Sequence, residues 1–123
     1  MKLSRPILVL SLACATPYDG LAQTVDLGPD ITPRQRFQVY PRIDKAYEAM
    51  ARGDGQRAIS ELQQAQRLAP ENTEIALQLA AAHRRFGQPA QAEAVLKAQL
   101  QRRPGDARLA RALRDMHQGA VPA

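Results

Sequence analysis

Two histidines, His83 and His117, stand 34 residues apart, a spacing that sets them at matching positions of successive structural units. Imidazole pairs can ligate a metal, but a zinc site asks for three or four ligands. No further His exists, and Cys14 is the sole cysteine. The carboxylates Glu48, Glu61, Glu71, Glu74 and Glu93 are dispersed among Gln and Arg, which is the pattern of solvated helix surfaces. No glycine-rich phosphate loop, nucleophile elbow or His-Glu metal motif is present. These residues point away from catalysis and imply neither a metal nor a cofactor; both histidines read as surface positions.

Arginine offers a different chemistry. The chain carries a formal charge of +5, and between Arg84 and Met116 eight basic residues oppose only Glu93, Asp106 and Asp115. A patch of Arg102, Arg103, Arg108 and Arg111, continued by Arg84 and Arg85, would attract an acidic polypeptide, an anionic polysaccharide or a lipid surface. The competing reading is a solvated outer face. Nucleic acid is disfavoured, because no aromatic residues interleave with the basic ones.

The first 22 residues stand apart from the rest. Lys2 and Arg5 precede the apolar run Ile7 to Ala15, which Pro17, Tyr18, Asp19 and Gly20 break, as in a secretory leader. Its nine residues fall well short of the roughly 20 that cross a bilayer. Gly20-Leu21-Ala22 places cleavage after Ala22, with Ala13-Cys14-Ala15 as a second site. Lipid anchoring at Cys14 is the alternative, against which Ser11 stands where an aliphatic residue is usual. Cleavage at either site leaves no Cys in the mature chain, and the export signal also disfavours nucleic acid.

The elements that carry the remaining residues repeat. Ala46 and Ala80, Gly53 and Gly87, Ala58 and Ala92, Leu62 and Leu96, and Pro70 and Pro104 are each separated by 34 residues, and the Gly and Pro pairs fall where helices turn and end. Pro41 is expected to open a helix carrying Ile43, Ala46, Tyr47 and Met50 on one stripe. Gly53-Asp54-Gly55 ends it, and a second helix buries Ala58, Ile59, Leu62, Ala65 and Leu68 before Pro70. Asn72 caps the third helix, Pro89 opens the fourth and Asp106 caps a fifth. The fold expected is all-α: a short α-solenoid of two helical hairpins, about 39–72 and 73–106, with a capping helix at 107–118. Residues 23–31 read as a flexible lead-in, followed by a short helix at 33–39 from which Phe37 packs on the first hairpin. Methyl side chains at Ala46, Ala58, Ala80 and Ala92 would let helices approach closely.

The period, the small residues at the crossings, the turn Gly and the terminal Pro resemble the tetratricopeptide repeat family. Ala49 and His83 stand where that family often has an aromatic, and Lys45 where it has Leu. A narrower resemblance lies in Arg36-Phe37-Gln38-Val39-Tyr40-Pro41-Arg42-Ile43-Asp44-Lys45-Ala46, in His83-Arg84-Arg85-Phe86-Gly87 and in Leu100 to Leu109. These segments look like the N-terminal repeats of the bacteriophage-adsorption outer-membrane protein family. That resemblance implies a periplasmic interaction module linked to exopolysaccharide export or outer-membrane assembly, without the barrel of the larger members.

Tetratricopeptide stacks present the first helix of each hairpin on a concave face. The resemblance places Tyr40, Ile43, Tyr47 and Met50 there, beside Glu74, Leu77, Ala81, Arg84 and Arg85. Members that clamp a terminal carboxylate use Lys and Asn in this groove, whereas Ile43 and Tyr47 stand at such places here. The expected function is a periplasmic scaffold for a protein or peptide of the cell envelope. An anionic envelope polymer held by the basic patch is the alternative.

Overall fold

Thr32 opens the first helix. Its hydroxyl accepts from the Gln35 amide at 3.1 Å while Gln35 Oε1 accepts from the Thr32 amide at 2.9 Å, so two otherwise unpaired donors satisfy each other's residues. The computed structural model describes residues 25–120. The leader, its cleavage sites and Cys14 lie outside the described residues. Among the described residues five helices follow in order: α1 Pro33–Ala51, α2 Gly55–Leu68, α3 Thr73–Arg85, α4 Pro89–Arg102 and α5 Ala107–Ala120. Helix α1 packs on α2 and α3 on α4, α2 joins the two hairpins through α3, and α5 rests on α4 and α3. Two stacked hairpins and a terminal helix are what the period predicted.

The turns follow the Gly and Pro punctuation. Gly53 and Gly87 adopt φ of 76° and 79°, the left-handed conformation that ends a helix and that a side chain resists. Asn72 Oδ1 accepts from the Ile75 amide at 3.0 Å, and Asp106 Oδ1 accepts from the Arg108 amide at 2.9 Å, so both expected caps are formed. Ala46, Ala58, Ala80 and Ala92 are all buried, as are Leu62, Ile75, Leu79, Leu96 and Leu109. Each of these larger aliphatic side chains contributes about 1.5–3 kcal/mol by leaving water.

Several expectations are corrected. The helix expected at 33–39 and the one expected to start at Pro41 are a single helix, with Pro41 inside it. A proline ring forfeits one backbone bond, here the one to the Phe37 carbonyl, and both Pro41 and Phe37 lie on the exposed side of α1. Phe37 does not pack on the hairpin; it is 83% exposed. Two residues from the buried Val39, it points about 200° away around the helix.

The lead-in is no free tether over Val25–Ile31. Leu27 and Ile31 are buried in the same apolar cluster as Ile43, Ile75 and Leu79. Asn72 Nδ2 donates to the Leu27 carbonyl at 2.7 Å, the Tyr40 hydroxyl to Val25 O at 3.1 Å and Arg36 Nη2 to Gly28 O at 3.3 Å. Arg103, between α4 and α5, holds the Asp30 carboxylate at 2.8 Å. These bonds satisfy carbonyls that an extended segment against a core would otherwise leave unpaired.

Two polar side chains assigned to the surface are buried. Glu61 is 3% exposed and accepts from Arg42 Nη1 at 3.1 Å and Arg57 Nε at 2.9 Å. Burial alone would raise its carboxyl pKa, but the hydrogen bonds and charges of Arg42 and Arg57 outweigh that and hold it below the ordinary value. His83 is 5% exposed, and its Nδ1 lies 2.7 Å from Gln88 Oε1, just past the turn.

Candidate functional site

The first helices of the units, α1, α3 and α5, are laced together by one chain of polar contacts. Tyr47 of α1 donates to Gln78 Oε1 of α3 at 3.0 Å, and Gln78 Nε2 donates to Glu74 Oε1 at 3.2 Å. Glu74 Oε2 accepts from Arg108 Nη1 of α5 at 3.3 Å. Asp106, which caps α5, accepts from the Thr73 hydroxyl at 2.7 Å. Burial, and secondarily the charge of Glu74, push the Tyr47 phenol above its ordinary pKa. For Asp106 burial works upward, yet the Thr73 bond and the Arg108 and Leu109 backbone donors, with the Arg108 charge, bring it below the usual value. Spacings of three and four residues align these side chains along each helix, and the repeat carries the line across helices.

The expected groove residues divide on this frame. Ile43 is a correction: it is 0% exposed, packed in the cluster that holds Leu27 and Ile31, and no partner can touch it. Tyr40 is half-buried and committed to Val25 through its hydroxyl. Tyr47 and Glu74 are engaged in the lacing. Met50 and Leu77 are partly buried, while Ala81, Arg84 and Arg85 are exposed. Arg85 lies over the Phe86 ring at 5.7 Å, within range of a cation–π attraction.

Where α3 faces α5, a cleft of about 170 Å³ opens, with Leu77, Ala80, Leu96, Ala112 and Met116 as its apolar lining and Ala81, Arg84 and Asp115 completing it. Its size suits one apolar side chain, and its two charges are of opposite sign. Sequence reasoning named Leu77, Ala81 and Arg84 but missed the contribution of α5; Met116, seven residues beyond the buried Leu109 on the same helix face, carried the signal.

The basic patch is largely neutralised. Arg102 pairs with Glu71 at 2.9 Å, Arg103 with Asp30 at 2.8 Å and Arg108 with Glu74 at 3.3 Å. Arg111 is exposed and, like Arg84 and Arg85, has no ion pair among the described residues. His117, exposed, lies 3.4 Å from Glu93. Among the described residues no group of His, Cys, Asp or Glu is placed to hold a metal ion, and no helix is long and apolar enough to cross a membrane.

Comparison with known proteins agrees with the repeat fold. Over 79 residues, 64% of its length, the chain is 43% identical to Bacteriophage adsorption protein A of Escherichia coli (strain K12). It spans only 8% of that protein. No solved structure matches the chain. The tetratricopeptide repeat model matches residues 49–116, more than half the chain and the stretch from the end of α1 into α5. With its paired helices, left-handed turn glycines and laced first helices, the chain belongs to the tetratricopeptide repeat family, a non-catalytic scaffold fold for protein interactions.

Proposed function

We propose that the protein is an exported periplasmic scaffold that holds a polypeptide of the cell envelope against the face formed by α1, α3 and α5. The observation that carries this reading is the α3–α5 cleft, an apolar recess with Arg84 and Asp115 in its lining. Such a recess takes an anchoring side chain while the charges orient the chain that bears it. The lacing of Tyr47, Gln78, Glu74 and Arg108 holds the face rigid before binding, which lowers the ordering cost of association. Export rests on Lys2, Arg5 and the apolar run Ile7 to Ala15. Likeness to a protein named for bacteriophage adsorption supports an envelope setting, such as outer-membrane assembly or exopolysaccharide export.

The test is affinity capture from an envelope extract by the wild-type protein and by Ala81→Trp, which fills the cleft from an exposed position. A polypeptide retained at high salt and lost with Ala81→Trp is expected. Equal capture by both proteins would overturn the assignment of the cleft. Binding of an anionic polymer is a second reading that the exposed Arg84, Arg85 and Arg111 favour. Charge attraction of that kind weakens steeply as salt screens it, so capture confined to low salt and abolished by Arg84→Glu/Arg85→Glu would select it.

A further inference from the structure

The segment Val25–Ile31 lies on the helices as a bound peptide would. Its backbone makes no hydrogen bond to the backbone of another segment among the described residues. Side chains hold its carbonyls instead: the Tyr40 hydroxyl donates to Val25 O, Asn72 Nδ2 to Leu27 O and Arg36 Nη2 to Gly28 O. Leu27 and Ile31, four residues apart, are its buried side chains, while Asp26, Pro29 and Asp30 are exposed. Two apolar anchors, carbonyls met by donors from the fold and a carboxylate paired with an arginine are the elements of extended-peptide recognition.

We propose that this seat is a peptide-binding site which the protein's own segment occupies and which a partner polypeptide takes over by displacing it. The ligand is an extended segment with two apolar residues four positions apart and an Asp or Glu just before the second. Its apolar residues replace Leu27 and Ile31 in the cluster with Ile43, Ile75 and Leu79. Its carboxylate meets Arg103, as Asp30 does at 2.8 Å. The residues between are free to vary, because the donors of the seat read carbonyls, which every residue carries. Ile43 is sealed from partners only while a segment lies in the seat.

Two features suit the seat to exchange. The segment has no helix or strand of its own, so its release breaks side-chain contacts and leaves the helical bonds intact. Its fit is also incomplete: Arg103 Nε is buried with no hydrogen-bond partner, 3.9 Å from the Asp106 carboxylate. A ligand carboxylate that met Nε and Nη2 together would form the bidentate pair that Asp30 does not. Tethering to α1 gives the segment an effective concentration on the order of millimolar, which a free ligand must exceed or outbind. The seat shares no residue with the lining of the α3–α5 cleft, so the proposal stands apart from the scaffold reading.

The test adds an unlabelled synthetic heptapeptide of residues 25–31 to the isotope-labelled protein and follows the protein by NMR. At about 10 mM peptide, above the effective concentration of the tethered segment, the wild-type signals of Val25–Ile31 should move toward random-coil positions. Leu27→Ala/Ile31→Ala weakens the tethered competitor, and that variant should bind the peptide about tenfold more tightly than wild type. A peptide carrying Leu27→Ser/Ile31→Ser should displace nothing, and one carrying Asp30→Asn should bind more weakly. Ala81→Trp in the protein should leave peptide binding unchanged, which separates this seat from the cleft. Unmoved segment signals in wild type at that concentration, or equal displacement by the Ser-substituted peptide, would overturn the proposal whether or not the double Ala variant folds.

Discussion

The Tyr47 hydroxyl donates to Gln78 Oε1 at 3.0 Å, and this bond crosses from the first helix of one hairpin to the first helix of the next. Tyr47→Phe deletes it while keeping the ring. Chemical denaturation should show a loss of about 0.5–1.5 kcal/mol. An unchanged urea midpoint would mean that water replaces the bond without cost.

Glu61 links α2 to Arg42 of α1 and is predicted to make stability depend on pH. Its folded pKa lies below the ordinary value, so its contribution is full above the unfolded pKa of about 4.3. It is lost as pH falls through the lowered folded value. Glu61→Gln should be about 1–3 kcal/mol less stable than wild type near neutrality. Melting curves of the two proteins should converge on acidification to pH values below the folded pKa; a constant gap would remove the charge from the explanation.

Asn72 has two tasks, capping α3 through Oδ1 and holding the Leu27 carbonyl through Nδ2. Replacement by Asp retains the cap and removes the donor, whereas Ala removes both. Stability should fall in the order wild type, Asn72→Asp, Asn72→Ala, with the cap alone worth about 1 kcal/mol. Hydrogen exchange over Val25–Ile31 should accelerate in both variants, and protection equal to wild type would show that Leu27 and Ile31 hold the segment unaided.

Ala80 is buried on α3 in the cluster that contains Ala92 and Leu96. Ala80→Leu inserts three carbons where helices approach and should cost about 1–3 kcal/mol. A thermal midpoint equal to wild type would contradict close packing at that position.

The repeat was legible because its punctuation is backbone chemistry: Gly53 and Gly87 sit at positive φ, and Pro70 and Pro104 fall in the loops after α2 and α4. Both tell the same story in any helical context. What escaped the sequence depended on pairings between distant residues. Glu61 looks solvated until Arg42, 19 residues earlier, is brought beside it. His83 looks like a surface residue until the chain reverses and delivers Gln88. Leu27 and Ile31 are isolated apolar residues around Gly28-Pro29, with no period to announce that a core awaits them. Leu77, Ala81 and Arg84 share one side of α3, where they line the α3–α5 cleft, while Ile43 lies in the core because Leu27 and Ile31, in the segment read as loose, pack in the same cluster.

That segment alters how the repeats come apart. Stacked hairpins that touch only their neighbours can fray one unit at a time from either end. Val25–Ile31 instead bonds to α1, to the start of α3 and, through Asp30, to Arg103 beyond α4. Neither hairpin can melt without releasing it. The two hairpins are thereby expected to unfold together, with a steeper transition than contacts between neighbouring repeats alone would give.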